Sequence, residues 1–459
     1  MIVNKRVSLS LCVIMLLSVI MGACTKGDSG GSASPTESSS QTQPNSSKPA
    51  TEENQEPITL TLISWGAGNA ELFAPLYAEF TKKYPWITVN EIGSGGLDNE
   101  GLSKLAALQS SGTTPDLVWP AGLAAWEEGG NLEDLKPYID SDPILPTLGL
   151  REGFLQKWEQ GGKIYTVPWT DDSLPIIINK NLLAKHGLEM PSEDWTYDDF
   201  RELAKKATKP ESGEYGLSYS SIFKLTFPYL LSVANGNADR LLFMNEDNTQ
   251  SLANTPGVLE DLKWMQDMYA VDKVMMDAAT FEAGGYGGEQ GDFLAGKALM
   301  GIAFPIGQLD ELVDFEWDLV PLPRGKVSQP SFSNASPLSM LSVSKNKDAA
   351  WKFIRFQYEY EANKWRVNEL NPSMMASEEL DQLLQSNLTG KNVQALKTSS
   401  CCAGDAPVIF DYQNLAGPIL TTSLVEMLNN NGDINGMIPA IEDYNRRAAE
   451  FWKSKGIMQ

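Results

Sequence analysis

Residues 165–208 read YTVPWTDDSLPIIINKNLLAKHGLEMPSEDWTYDDFRELAKKAT, and the parsing of this stretch decides the fold. Two extended segments, YTVPW and LPIII, flank the polar run Thr170-Asp171-Asp172-Ser173. Thr196 stands three positions before Asp199, the spacing of a capping box. Phe200, Leu203, Ala204 and Ala207 then recur at the helical period. The stretch is therefore strand, polar break, strand and helix, a unit of α/β construction.

The chain on either side repeats this alternation. Towards the N-terminus, Thr59–Ser64 (TLTLIS) is a strand, and Asn69 caps a helix with Leu72, Phe73, Leu76, Tyr77 and Phe80 on one face. Pro85 ends that helix, Ile87–Ile92 is a second strand, Leu102–Leu108 is helical, and Asp116–Trp119 (DLVW) is a short buried strand. This pattern predicts an α/β lobe with parallel strands. Towards the C-terminus, Thr255 and Pro256 open a helix whose Val258, Leu262, Met265 and Tyr269 share a face. Phe281–Gln290 is glycine-rich and reads as a loop. Ala298–Phe304, Trp317–Val320 and Leu338–Val343 read as strands, and the last 110 or so residues as mostly helical.

The N-terminus is an address. Lys5 and Arg6 precede an apolar run, Val7 to Ile20, that is short for a membrane span. Met21-Gly22-Ala23-Cys24 resembles a bacterial lipobox, in which Cys24 becomes the lipid-modified terminus; the plainer reading is a cleaved signal with Cys24 incidental. Acyl chains on Cys24 would hold the protein at a membrane surface. The segment Thr25–Glu56 lacks any aromatic or large aliphatic residue, so it reads as a disordered tether. The expected location is the extracytoplasmic side of the cell membrane, and the long tether suits a Gram-positive surface.

Composition removes several functions. Of the 459 residues, 36 are Lys or Arg and 59 are Asp or Glu, a net charge of −23, so phosphate backbones should be repelled and nucleic acid is not expected as a partner. The single histidine, His186, argues against histidine-rich metal centres and reads as surface structure. No metal and no cofactor are expected. The four cysteines cannot build a dense disulfide framework. Cys401-Cys402 is an adjacent pair that could close as a vicinal disulfide outside the cytoplasm, or stay as two thiols.

Taken in order, these landmarks resemble the family 1 extracellular solute-binding proteins of bacterial ABC importers, the maltose-binding-protein type. ITLTLISWG…LYAEFTKKYPWITV is similar to the family's first strand, helix and second strand, and TTPDLVW to its next strand. The stretch from Tyr165 to Thr208, with Asn179-Lys180, resembles the crossing between lobes. FLAGKALMGIAF, WDLVPLPRGK and LSVSKNKDAAWKFIRF follow in register. The resemblance implies an α/β, two-lobed, type II periplasmic-binding-protein fold, with a ligand cleft between lobes and crossings near residues 171, 303 and 343. The implied layout is signal peptide 1–23, lipidated cysteine and linker 24–56, lobe one 57–170, lobe two 171–302, lobe one again 303–343, and a helical part 344–459 mainly in lobe two.

The resemblance also implies a receptor that delivers a carbohydrate, an oligosaccharide, to ABC permease subunits. It is expected to act as a monomer and without catalysis. A ligand-binding sensor for a membrane kinase and a surface glycosidase are the alternatives. Sugars present hydroxyl edges and C–H faces, so aromatic platforms, carboxylates and amides are the groups to seek. The candidates are Trp65, Trp119, Trp169, Asp171, Asp172, Phe304, Asn334 and Ser336, with Tyr229, Glu289 and Trp365 behind them. Each has a structural counterpart reading: a tryptophan at a strand end can lid a core, and the aspartates can cap a turn.

Overall fold

The computed structural model describes residues 56–64, 69–95, 98–120, 123–150, 154–169, 172–288, 290–302, 306–330, 332–399 and 415–458. Gln55–Gln459 forms one compact unit by itself. The signal peptide, Cys24 and the tether lie outside the described residues.

Eleven strands are described. They are β1 (Ile58–Ser64), β2 (Ile87–Gly93), β3 (Leu117–Val118), β4 (Val167–Pro168), β5 (Asp172–Ser173), β6 (Ile176–Asn179), β7 (Tyr215–Leu217), β8 (Ala298–Ile302), β9 (Trp317–Val320), β10 (Ser333–Asn334) and β11 (Pro337–Met340). The first sheet has the order β2-β1-β3-β11-β4 and the second β7-β8-β6-β9; a two-stranded ladder, β5 with β10, stands between them. In the first sheet β1 runs parallel to β2 and β3, as expected, while β11 is antiparallel to both β3 and β4. In the second, β7 and β8 are parallel and β6 is antiparallel to β8 and β9.

Local sequence explains the elements. The helix Asn69–Lys83 buries Phe73, Leu76 and Phe80 of its predicted face in the lobe-one core with Leu60, Leu62 and Leu117, and leaves Tyr77 partly buried. Thr196 and Asp199 form the expected reciprocal cap of helix Tyr197–Ala207. The helix Pro256–Gln266 buries Val258, Leu262 and Met265. Along β6 the side chains alternate between two cores: Ile177 joins Phe293, Leu319 and Leu384, whereas Ile176 and Ile178 join Phe200, Phe227 and Met300. A run of isoleucines buried on both faces is the signature of a sheet covered by helices on both sides.

The boundaries differ from the sequence reading in two places. The crossing expected near 303 lies further along the chain. After β8 the chain stays in the second lobe to form β9, which pairs with β6 over Ile176–Asn179, and it returns to the first sheet through β10. Hydrophobicity marks 317–320 as a strand but does not say which sheet will pair with it. The chain also leaves lobe one later than 343. Helices Lys347–Phe356 and Tyr360–Asn368 place Phe353, Phe356 and Ala362 in the lobe-one core, and the Ala376 amide still bonds Gly149. Helix Glu378–Asn387 then packs on the second sheet through Leu380 and Leu384. The C-terminal helix Ile438–Ser454 bonds lobe two through Asn445 and Ser251, 2.8 Å apart.

Candidate functional site

Register defines one edge of each sheet as the edge that meets the crossing. In lobe one it is formed by the carboxyl ends of β1, β3 and β4, with Pro168 paired to Pro337 at the start of β11. In lobe two, Ile176 enters β6 opposite both Ile302, the last residue of β8, and Val320, the last of β9. β7 runs parallel to β8, so Ser218 and Tyr219 emerge at the same edge. Ligands of open α/β sheets lie outside such carboxyl ends.

The lobe-one edge carries an aromatic nest. Trp119 follows β3 and Trp169 follows β4; Phe73 comes from the start of helix Asn69–Lys83 and Trp365 from helix Tyr360–Asn368. Trp169 stacks on Phe73 at 4.4 Å and meets the edge of Trp119 at 5.2 Å. Trp365 lies tilted against Phe73 at 5.6 Å. Trp169 is 0% exposed, whereas Trp119 and Trp365 are half-buried at the margin of the nest. Trp169 thus presents no open stacking face here. The indole nitrogens of Trp169 and Trp365 are both buried and meet no hydrogen-bond acceptor among the described residues. Such donors carry an unmet cost that an incoming oxygen can relieve.

The backbone at this edge is held by buried groups. The Arg366 guanidinium donates to the Trp169 carbonyl and, at 2.8 Å, to that of Gln357. The Tyr358 hydroxyl donates to the Pro168 carbonyl at 2.8 Å, and the Trp169 amide to the Ser336 carbonyl at 2.6 Å. Nearby, the Tyr77 hydroxyl donates to Glu91 at 2.5 Å; burial, then the Glu91 charge, raise its pKa far above the usual phenol range, so it stays a donor. A shallow, open pocket of about 350 Å³, lined by Ser94, Asn99, Glu100, Ser103 and Lys104, lies where β2 ends.

The structure brings several predicted residues together. Asp172 and Asn334 pair directly in the β5–β10 ladder, and Ser336 follows in the segment that bonds Trp169. Trp65, Asp171, Phe304, Glu289, Cys401 and Cys402 lie outside the described residues. Tyr229 is not at the edge: it is buried in lobe two, with its hydroxyl donating to the Leu420 carbonyl at 2.8 Å. His186 is not simple surface structure either, because Nε2 sits 3.0 Å from the buried Glu214 carboxylate, which also pairs with Lys185. Among the described residues no group of three His, Cys, Asp or Glu could hold a metal ion, and no helix is long and apolar enough to cross a membrane.

Sequence reasoning missed the lobe-two wall. Tyr219 stacks on Phe281 at 4.6 Å, and the Lys224 ammonium lies 3.3 Å from the centre of the Tyr219 ring. Lys224 sits in a π-helical turn, Ile222–Thr226, a feature common at functional sites. The available signal was Tyr219's place just past a short strand.

Comparison with known proteins follows this geometry. The profile of the bacterial extracellular solute-binding protein family matches residues 66–364. An uncharacterised lipoprotein of Streptomyces antibioticus is 25% identical over 311 residues, 65% of this chain and 66% of that protein, so the match spans just under two thirds of the relative's length. Among solved structures, an ABC substrate-binding protein of Listeria monocytogenes in complex with cycloalternan superposes with a TM-score of 0.68 at 22% identity, over 87% of this chain and 100% of the other. Maltose-bound MalE3 of T. maritima superposes at 0.63 and 20% identity, over 86% and 100%. The two-lobed architecture is that of type II periplasmic binding proteins. With two sheets facing one crossing and a family profile covering most of the body, the chain belongs to the bacterial extracellular solute-binding protein family.

Proposed function

We propose that the protein is the receptor lipoprotein of an ABC importer and that its solute is a carbohydrate, an oligosaccharide, bound between the lobes. The observation that carries this reading is the aromatic nest at the lobe-one edge. Trp119 and Trp365 keep exposed surface, and the buried indole donors of Trp169 and Trp365 meet no acceptor among the described residues. Rings of this kind take the C–H faces of sugars, while polar groups fix the hydroxyls. The neighbours whose names mention cycloalternan and maltose support the same class of ligand.

In this reading Trp119 and Trp365 are platforms, Trp169 is the ring beneath them, and Asp172, Asn334 and Ser336 line the crossing. Trp65, Asp171 and Phe304 complete the set proposed for contact. Binding energy biases an open form towards a closed one, which the permease recognises; no bond of the solute is changed. Cys24 carries the lipid that keeps the body on the extracytoplasmic face of the membrane, and the protein works as a monomer.

A thermal-shift screen of the body against maltose, maltotriose and cycloalternan tests the reading. A ligand at 100 times its dissociation constant adds about 2.7 kcal/mol of stability, and it should be recovered chemically unchanged. Silence across these and a wider set of saccharides contradicts the carbohydrate assignment, and recovery of cleaved sugar contradicts the receptor role.

A further inference from the structure

The turn Gln290-Gly291-Asp292 follows the glycine-rich loop and has no assigned purpose. Gln290 is completely buried, and its backbone lies in the left-handed region at φ 59°, a conformation non-glycine residues seldom adopt. Its side-chain amide forms a two-point pair with the backbone of Ile302: Oε1 accepts from the Ile302 amide at 2.6 Å, and Nε2 donates to the Ile302 carbonyl. Ile302 is the last residue of β8. One flank of Ile302 faces Ile176 of β6, while β7, the neighbour on the other flank, ends at Leu217 beside Met300. The Gln290 amide therefore supplies, at the crossing-facing edge, the hydrogen-bond partners of the strand residue that β7 is too short to provide. The Ser218 hydroxyl also donates to Gln290 Oε1 at 3.3 Å, and two residues on, Asp292 accepts the Tyr219 amide at 2.9 Å. One short turn thus ties the exits of β7 and β8 together.

We infer that Gln290 is a positioning residue for ligand binding: by clamping Ile302 and Ser218 it fixes the lobe-two wall on which Tyr219, Phe281 and Lys224 stand. This rests on the proposed interlobe carbohydrate site, but the clamp itself can be read without ligand. A left-handed glutamine is a poor choice for mere packing, because glycine or asparagine would relax the backbone. The reach of the side chain explains a glutamine here, since asparagine is one methylene too short to span to Ile302.

The test compares Gln290→Met and Gln290→Glu with a control, Met265→Ala, which removes bulk from the lobe-two core on helix Pro256–Gln266 and touches none of the Gln290 hydrogen bonds. Amide hydrogen exchange is followed in the ligand-free body, and affinity is measured with maltotriose. Gln290→Met should speed exchange at the Ile302 and Tyr219 amides at least tenfold while the Ile177 amide keeps its protection. Gln290→Glu keeps an acceptor for the Ile302 amide, so exchange there should stay near wild type even where the melting temperature falls. Maltotriose affinity should drop at least tenfold in Gln290→Met and stay within twofold in Met265→Ala. Unchanged exchange at Ile302 in Gln290→Met, or an equal change in the control, overturns the clamp. Altered exchange with unaltered affinity reduces Gln290 to a structural residue and also overturns the proposal. If wild-type protein binds no saccharide, the carbohydrate reading fails, and the exchange comparison alone decides whether Gln290 fixes this wall.

Discussion

At the scale of single residues, burial separates tryptophans that can meet a ligand from one that supports them. Read from sequence, Trp119 and Trp169 each follow a strand, Trp169 is the favoured platform of the two, and Trp169→Ala is expected to weaken binding while leaving the fold cooperative. The structure parts them, because only Trp169 is covered on its face by Phe73. Trp169→Ala should therefore cost about 3–5 kcal/mol of stability, as large buried aromatic deletions do. Trp119→Ala or Trp365→Ala should instead lose about 1–3 kcal/mol of saccharide binding. Denaturant titration and calorimetry distinguish the two patterns; a fully stable Trp169→Ala protein would contradict the burial. A second residue-scale prediction concerns Asp142. Burial raises its pKa, but hydrogen bonds from Trp351 Nε1 at 2.7 Å, from the Ile144 and Leu145 amides and from Arg355 outweigh burial and hold the carboxyl below its usual range. A depressed folded-state pKa stabilises the protein above the unfolded value of about 3.9, and that contribution fades as pH falls through the lower folded value. Asp142→Asn should flatten the acid limb of the stability profile below about pH 4. An acid limb identical to wild type would remove Asp142 from the account. The Trp351 and Arg355 partners are not legible from sequence, since they lie 209 and 213 positions from Asp142.

At the scale of elements, local signals were sufficient wherever the stabilising contacts are local. The helix after β1 stands where apolar spacing puts it, the Thr196–Asp199 capping box forms as read, and Pro256 opens the next helix, although the Thr255 side chain makes no capping bond. The pairing of β9 with β6 and the insertion of β11 between β3 and β4 were not legible, because a strand's hydrophobicity does not encode which distant edge it joins. The π-helical turns at Ile222–Thr226 and Asp267–Val271 also escaped notice: their extra residue is accommodated by tertiary packing between helices. A contact between elements gives a sharp test. At Gly216 in β7, an added Cβ would lie 2.3 Å from the Ala204 carbonyl oxygen in helix Tyr197–Ala207. Backbone cannot yield as a side-chain tip does, so Gly216→Ala should destabilise by about 1–3 kcal/mol or more through separation of helix and strand. A melting temperature equal to wild type would show that the helix does not pack this closely.

At the scale of the whole molecule, the resemblance of ordered landmarks was enough to expect two α/β lobes, and the fold bears this out. It placed the crossings less well, because chain order alone does not show that β8 and β9 remain in one sheet. The candidate site was legible in part. Trp119 reaches the lobe-one edge, and Asp172 and Asn334 meet in the ladder that joins the lobes, while Tyr219 and Gln290 became visible only through register. The two lobes are linked by this short ladder and by the passage from Ala376 into helix Glu378–Asn387, an arrangement suited to hinge closure on a solute. In the proposed function a saccharide bound between the lobes closes them. Small-angle X-ray scattering of the body, with and without a saturating saccharide identified by thermal shift, tests this most directly. The expected result is a smaller radius of gyration with ligand and a return to the ligand-free value after dialysis. An unchanged radius at demonstrated saturation would contradict it.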